Sequence, residues 1–315
     1  MRDLKLLQHF WRNNVNAPLI LATLVGKRGS SYRAPRAKKI IRSDGQSAGM
    51  LSGGCLEDDI TRNALDHKHD LPCIKSFSTM SDEDRLMGYQ TGCAGVIEIL
   101  FEHLPQDLSE MEKYIPYGEN NFAGVTVSLA DETLGQRSLL KSMPEHHKEN
   151  VFFDRYTRPV NLYIIGCGAD AYPFADLAPA LGWNVTFLDY RDGFTIENTA
   201  DVTSRIHPLK DIAETVPEGQ DTAVVVMTHN YEADLDILRG LNGKKFGYLG
   251  CIGPRKRFQQ IKSDLKKFHS FTMDADWAAR IHAPAGLKKA RTPETIALAI
   301  VSEIEFYALN REEVS

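Results

Sequence analysis

No segment of the 315 residues comes near the roughly 18 uninterrupted apolar residues that a membrane-spanning helix needs. The N-terminus, MRDLKLLQHFWRNNVNAPL, holds no run long enough for the core of a signal peptide. A strong charge of either sign is also missing. The 37 Lys and Arg stand against 42 Asp and Glu, a formal net charge of −5, and neither half is markedly one-sided. That excludes a large nucleic-acid-binding surface. Internal repeats and low-complexity tracts are absent. With 43% hydrophobic and 25% charged residues, the chain is neither disordered nor fibrous. Cysteine is scarce: five residues, scattered, with no Cys-x-x-Cys pair. An odd, scattered set excludes a disulfide framework and the usual structural zinc spacing. It points to free thiols, so a cytoplasmic location is expected, with no membrane and no nucleic acid as partner. One absence is local. No Asp or Glu lies between Asp3 and Asp44, where Lys27, Arg28, Arg33, Arg36, Lys38, Lys39 and Arg42 crowd together. Such a segment attracts a phosphorylated ligand or an acidic partner, or else guards a strand edge with positive charge.

The length suggests two domains at roughly 100–200 residues each. Polar, Pro-containing stretches cluster between residues 103 and 158, which places an N-terminal α+β domain at 1–150 and a second domain at 157–315. In the first, Leu4, Leu6, Leu7, Phe10 and Trp11 suit one face of a short helix. PLILATLVG, AKKIIRS, CIKSFST and GVIEILFEHL read as strands, LEDDITRNALDH as a helix, and Val125, Val127 and Leu129 as a further strand of period two. From Pro159 onward strand and helix alternate. VNLYIIGCG, NVTFLDY, TAVVVMTHN and FGYLGCIG are strands; DAYPFADLAPALGW, EADLDILRGL and TPETIALAIVSEIEFYAL are helices. This alternation predicts an α/β domain with a Rossmann-type parallel sheet and helices on both faces.

Gly166-Cys167-Gly168-Ala169-Asp170-Ala171 fits G-x-G-x-x-A between a strand and a helix. There the first glycine permits a tight turn, the second admits a pyrophosphate to the backbone, and helix N–H groups favour the anion. Asp189 ends the next strand about 20 residues on, the place of a carboxylate that accepts ribose hydroxyls. NAD(P) is the candidate ligand of such a turn; glycines that merely close a turn are the alternative. Arg255, Lys256 and Arg257 follow Gly250-Cys251-Ile252-Gly253-Pro254 and face either phosphate or solvent. His229 ends another strand as an acid, a base or a structural side chain.

Two cysteines stand in glycine settings, Cys55 in Ser52-Gly53-Gly54-Cys55-Leu56-Glu57 and Cys93 in Gly92-Cys93-Ala94-Gly95. Glycine exposes the backbone and lets a ligand come close. Near a helix start the dipole lowers the pKa of Cys55, and thiolates bind soft metals and pass sulfur. Glu57 is a candidate proton-transfer group, or a helix-start acid placed for the dipole alone. Cys73 reads as an ordinary buried cysteine, as does Cys167.

Taken with Gly29-Ser30-Ser31-Tyr32-Arg33, Asp44-Gly45, Asp189-Tyr190-Arg191, Thr228-His229, Asp234 and Pro284-x-Gly286-Leu287 before Thr292-Pro293-Glu294, these motifs resemble the XdhC/CoxI family over nearly the whole length. That family comprises maturation factors for molybdenum hydroxylases such as xanthine dehydrogenase. The resemblance implies a cofactor-binding maturation factor rather than an enzyme, with no catalytic residue assigned. It implies binding and protection of the molybdenum cofactor (molybdopterin) and delivery of its sulfurated form to a molybdenum hydroxylase apo-enzyme. A cysteine desulfurase is a second implied partner. Cofactor contacts are expected from Gly53, Gly54, Cys55, Glu57, Cys93, Gly166, Gly168, Asp189, Arg191, His229, Gly250 and Gly253, with Cys55 and Cys93 as candidate molybdenum ligands. A homodimer is expected as the commonest oligomer. Readings from other classes are an NAD(P)-dependent oxidoreductase and an NAD(P)-binding regulatory protein. Three departures from the family pattern stand out: Pro35-Arg36-Ala37 where the family has Pro-Gly-Ala, Lys39 at an often apolar position, and Lys288-Lys289 in place of Asp-Ile.

Overall fold

The computed structural model describes residues 1–54, 56–78, 95–144, 148–194, 196–286 and 290–310, with side chains to Phe306 in the last helix. It divides into two compact units, Asp3–Arg158 and Pro159–Ser315.

The first unit opens with helix α1 (Arg2–Asn13), which turns Leu7, Gln8 and Trp11 inward and carries Asp3 at its start and Arg12 at its end, matching the helix dipole. Leu6 lies off that stripe and is exposed. Strands β1 (Leu19–Gly29), β2 (Lys38–Arg42), β3 (Ser47–Gly49), β4 (Cys73–Ser78) and β5 (Gly95–His103) form an antiparallel sheet in the order β3-β2-β1-β5-β4. β1 is buried on both faces, so its period-two pattern divides between two clusters. Leu19 and Leu21 join Leu7 and Trp11 of α1. Ile20, Ala22 and Leu24 join Ile60 and Ala64 of helix α2 (Glu57–Asp66). A short helix α3 (Met111–Tyr114) follows. β6 (Gly124–Ser128), β7 (Arg137–Leu140) and β8 (Val151–Arg155) then make a second, three-stranded antiparallel sheet in the order β7-β6-β8.

Two buried ion pairs lie among these strands. Lys38 Nζ is 2.6 Å from Asp154 Oδ2, with side chains 0% and 2% exposed. Arg137 pairs with Glu102, and its guanidinium also lies over the Tyr114 ring.

The second unit is a parallel sheet in the order β11-β10-β9-β12-β13, built from β9 (Asn161–Ile165), β10 (Asn184–Asp189), β11 (Val202–Ile206), β12 (Gly219–Val226) and β13 (Phe246–Cys251). That is the doubly wound order, with its reversal between β9 and β12. Ile165, Leu188, Val224 and Val226 pack with helices α5 (Leu209–Thr215), α6 (Tyr231–Leu241), α7 (Arg255–Phe268) and α8 (Ala275–Ala279). The alternate residues Ile164, Phe187 and Val225 are equally buried. Helices α4 (Phe174–Ala180) and α9 (Pro293–Asn310) pack together, α4 also against β10 and α9 against β13. Near-continuous apolar strands are what a sheet covered on both faces requires. No described helix is long and apolar enough to cross a membrane.

Candidate functional site

The first candidate is the turn that precedes α2. Glu57, in the first helical turn, folds its carboxylate back over it. Oε1 accepts from Leu51 N at 2.8 Å, Ser52 N at 2.6 Å and Ser52 Oγ at 3.1 Å, while Oε2 accepts from Lys39 Nζ at 2.7 Å. Ser52 Oγ in turn accepts from the Gly54 and Leu56 amides, both at 3.3 Å. Burial disfavours the charged carboxylate. The Lys39 ammonium and the Ser52 and Leu51 amides outweigh it and hold the Glu57 pKa below the ordinary range. Glu57 is therefore an ionised clamp on residues 51–54, which argues against its use as a proton-transfer group. Gly53 has a packing reason: a Cβ there would lie 3.2 Å from Tyr32 Cγ, so the ring rests on the bare backbone. Gly54 has φ +120, with open space where a side chain would be.

Replacing Glu57 by Gln should remove the Lys39 charge pair and set an amide N–H against either Lys39 or the Leu51 and Ser52 donors, costing about 1.5–3 kcal/mol. Because the folded pKa lies below the unfolded one, this contribution is present above the ordinary Glu range and is lost as pH falls through the folded value. Hydrogen exchange at the Ser52 amide, followed against pH in wild type and variant, measures it. Protection in Glu57→Gln equal to wild type at neutral pH would reject the clamp.

Cys55 and Cys93 lie outside the described residues. The described thiols are poor soft-metal ligands. Burial, helped by Asp189, raises the Cys167 thiol far above its usual range. Burial, helped by Asp234, does the same for Cys251. Half-buried Cys73 is raised as well, by burial and then by Asp70. Among the described residues no group of three or more His, Cys, Asp or Glu is placed to hold a metal ion.

The second candidate is the crevice at the carboxyl ends of β9, β12 and β13. Gly166 has φ +90, and a Cβ there would lie 2.3 Å from Thr228 Cα, so this glycine lets the ends of β9 and β12 meet. Asp189 is fully buried. Its Oδ1 accepts from Tyr190 N (2.8 Å), Arg191 N (3.0 Å) and Arg191 Nε (3.0 Å); its Oδ2 accepts from Cys167 N (2.8 Å) and Arg191 Nη2 (2.6 Å). Burial opposes the charge, but the Arg191 guanidinium and these amides keep the pKa low. Asp189 and Arg191 are thus brought together as a brace on the glycine turn.

His229 takes the left-handed φ of +56, and its Nε2 lies 2.6 Å from Asp170 Oδ2. The other carboxylate oxygen, Asp170 Oδ1, is buried without a hydrogen-bond partner and would stand 2.8 Å from a Cβ on Gly168. Arg257 bonds Asp234 at 2.7 Å, and Asp234 accepts from Thr228 Oγ1. Arg255 and Lys256 are exposed at the start of α7. Gly253 adjoins Arg257, whereas Gly250 makes room for Ala285 and the Tyr248 ring. Around them is a cavity of 540 Å³ lined by Asp170, His229, Asp234, Arg257, Ile252 and Ile296, among others. A dinucleotide's pyrophosphate at Gly168 would meet the Asp170 carboxylate, and its ribose would find Asp189 already saturated. These residues do not fit NAD(P) in the usual pose.

Two family models match the chain: the XdhC Rossmann domain over residues 162–304, and the XdhC and CoxI family over residues 14–70. The chain belongs to the XdhC and CoxI family. A relative in Bacillus subtilis (strain 168), named as a probable xanthine dehydrogenase component, is 26% identical over 90% of this chain and 92% of its own length. Another in Escherichia coli (strain K12), named molybdenum cofactor insertion chaperone PaoD, is also 26% identical, over 94% of this chain and 85% of its own length. A crystal structure from Bacillus halodurans, described as a xanthine dehydrogenase, superposes with a TM-score of 0.81 at 25% identity and covers 100% of this chain and 98% of its own.

Within the XdhC frame, the structure accounts for two of the departures. Arg36 adopts φ +83, the left-handed backbone that a glycine would take freely. Lys39 is buried because it is the cationic partner of Glu57. Lys288 and Lys289 lie outside the described residues. Sequence reasoning missed the roles of Asp170 and Asp154. Asp170 sits in the glycine motif, where its acidity beside Gly168 was the available signal. Asp154 lies in a stretch without a visible pattern.

Proposed function

We propose that this chain binds the molybdenum cofactor, shields it and hands its sulfurated form to a xanthine dehydrogenase-type apo-enzyme. A cysteine desulfurase supplies the sulfur, and the chain acts as a homodimer in the cytoplasm. Cys55 and Cys93 hold the molybdenum end, and Gly53, Gly54 and Glu57 shape the approach. The names of the Bacillus subtilis and Escherichia coli relatives support this reading. The observation that carries it is the Ser52–Gly54 turn, which an ionised Glu57 pins by three hydrogen bonds from Leu51 and Ser52 directly before Cys55. A clamped, glycine-rich turn presents a cysteine without the side-chain bulk that would keep a large ligand away. No catalytic residue is assigned.

The test is anaerobic gel filtration of the full chain with molybdenum cofactor, with pterin fluorescence read in the protein fraction after oxidation. Wild type should carry pterin. Cys55→Ala and Cys93→Ala should carry at least about tenfold less, the scale of one lost strong interaction. Excess NAD should not compete, given Asp170 and Asp189. Full retention of pterin by a Cys55→Ala, Cys93→Ala double variant would overturn the reading. Competition by NAD would move the phosphate end of the cofactor into the Rossmann crevice.

A further inference from the structure

The first unit contains a second cavity, of 400 Å³, that none of the expected site residues lines. Its walls are the start of α1, the segment from Tyr32 to Lys38, and the end of β8 with the residues after it, Asp154, Arg155 and Thr157. Four cationic side chains line it, Arg33, Arg36, Lys38 and Arg155, against two carboxylates, Asp3 and Asp154. Both carboxylates are already committed: Asp3 is paired with Arg33 and Asp154 with Lys38. Cationic side chains therefore outnumber carboxylates along the lining, a balance that favours an anion.

Arg36 is the group that stands out. Most of the basic segment is neutralised at home: Arg28 by Glu98, Arg33 by Asp3, Lys38 by Asp154, Lys39 by Glu57 and Arg42 by Asp44. The Arg36 side chain has no hydrogen bond or ion pair among the described residues. Its backbone is held at φ +83 by two bonds to β1, Arg36 N to Leu24 O at 2.8 Å and Leu24 N to Ala37 O at 2.9 Å. A non-glycine residue kept in the left-handed region without a local partner is a strained feature that asks for a function. The cavity also adjoins the clamped turn. Tyr32 is 67% exposed, lines the cavity, and lays its ring on Gly53.

We propose that this basin binds a phosphate monoester, with Arg36 as its principal anion-binding side chain and Tyr32 as the wall shared with the Ser52–Gly54 turn. Guanidinium donors suit phosphate oxygens in a forked geometry. The anion site stands on the cavity and its charges alone. That the ester is the phosphate of the cargo rests on the carrier reading above, because Tyr32 joins the basin to the turn before Cys55.

Isothermal titration of the full chain with inorganic phosphate at low ionic strength tests the site. Arg36→Gly removes the cation and suits the backbone, so it should fold normally; Arg36→Lys keeps the charge. Phosphate should bind wild type, bind Arg36→Lys within a few fold, and bind Arg36→Gly about tenfold more weakly, and raised salt should weaken wild-type binding. Equal phosphate affinity in wild type and Arg36→Gly would overturn the site. The same three proteins are then run in the pterin co-elution assay. Reduced pterin in Arg36→Gly supports the cargo's phosphate as the ligand. Unchanged pterin alongside lost phosphate binding overturns that assignment while the anion site stands. If wild type binds phosphate through Arg36 but carries no pterin, the carrier reading fails and the site does not.

Discussion

Gly166→Ala is expected to destabilise the Rossmann unit by about 2–6 kcal/mol, the sum of left-handed strain and overpacking. Two separate costs act at this position. The backbone sits at φ +90, and the new methyl would lie 2.3 Å from Thr228 Cα and 2.6 Å from Thr228 N. Both obstacles are backbone atoms of the neighbouring strand end, which cannot swing aside as a side chain tip would. Gly193 is the control. It has φ +85 but nothing within 4 Å of a Cβ, so Gly193→Ala should cost only the strain, about 1 kcal/mol. Chemical denaturation followed by circular dichroism and tryptophan fluorescence measures both. Equal losses in the two variants would show that strain alone makes glycine necessary at 166. The comparison bears on function as well. A glycine needed for strand packing changes stability when replaced, whereas one needed only for a ligand's approach changes affinity.

Asp154→Ala should remove about 3–5 kcal/mol from the first unit, the usual cost of leaving one member of a buried pair uncompensated. Lys38 is wholly buried and Asp154 nearly so, and the contact between them is 2.6 Å. Burial lowers the Lys38 pKa, Asp154 opposes that, and the Arg137 charge lowers it further. Without Asp154 the depression deepens. A lysine whose folded pKa lies below its unfolded one costs stability while it must be protonated. That cost is full below the folded pKa and is relieved as pH rises from there toward the ordinary lysine range. The deficit of Asp154→Ala should therefore shrink at alkaline pH. The double variant Lys38→Met, Asp154→Leu should fall close to wild type, since apolar replacement of a whole buried pair is often neutral. Denaturation midpoints of the three proteins against pH decide it. A deficit for Asp154→Ala that does not change with pH would mean that Lys38 finds another partner.

The strands with strong apolar patterns were legible without the structure. β1, β2, β5, β6, β9, β10, β12 and β13 all fall where hydrophobic patterns place them, because a buried strand must show its burial in composition; β4 was also read as a strand, although none of its side chains is fully buried. β3, β7, β8 and β11 were not. They are short, only three to five residues long, with few buried side chains. Helices α5 and α7 were also missed; α7 is rich in Lys and Arg, and its buried stripe is only Phe258, Ile261 and Leu265. At the site, Glu57, Asp189 and His229 were identifiable as residues of interest, but their roles were not. Glu57 reads as a possible acid until its carboxylate is seen to be filled by Leu51, Ser52 and Lys39.

What the amino-acid order determined by itself is local. It set the two-fold alternation of β1, the strand–helix alternation from Pro159 onward, the tight glycine turn at Gly166, and the place of Cys55 two residues before Glu57. Each of these depends on neighbours within a few residues, so the chain writes them directly. What only the tertiary structure decided is which charges cancel and which remain. Lys38 meets Asp154, Lys39 meets Glu57 and Arg137 meets Glu102 across long stretches of chain. Coulomb interactions depend on distance and burial rather than on sequence separation. An apparently continuous basic segment therefore becomes, once folded, mostly a set of satisfied pairs, with Lys27 left exposed at the end of β1 and Arg36 left facing a cavity.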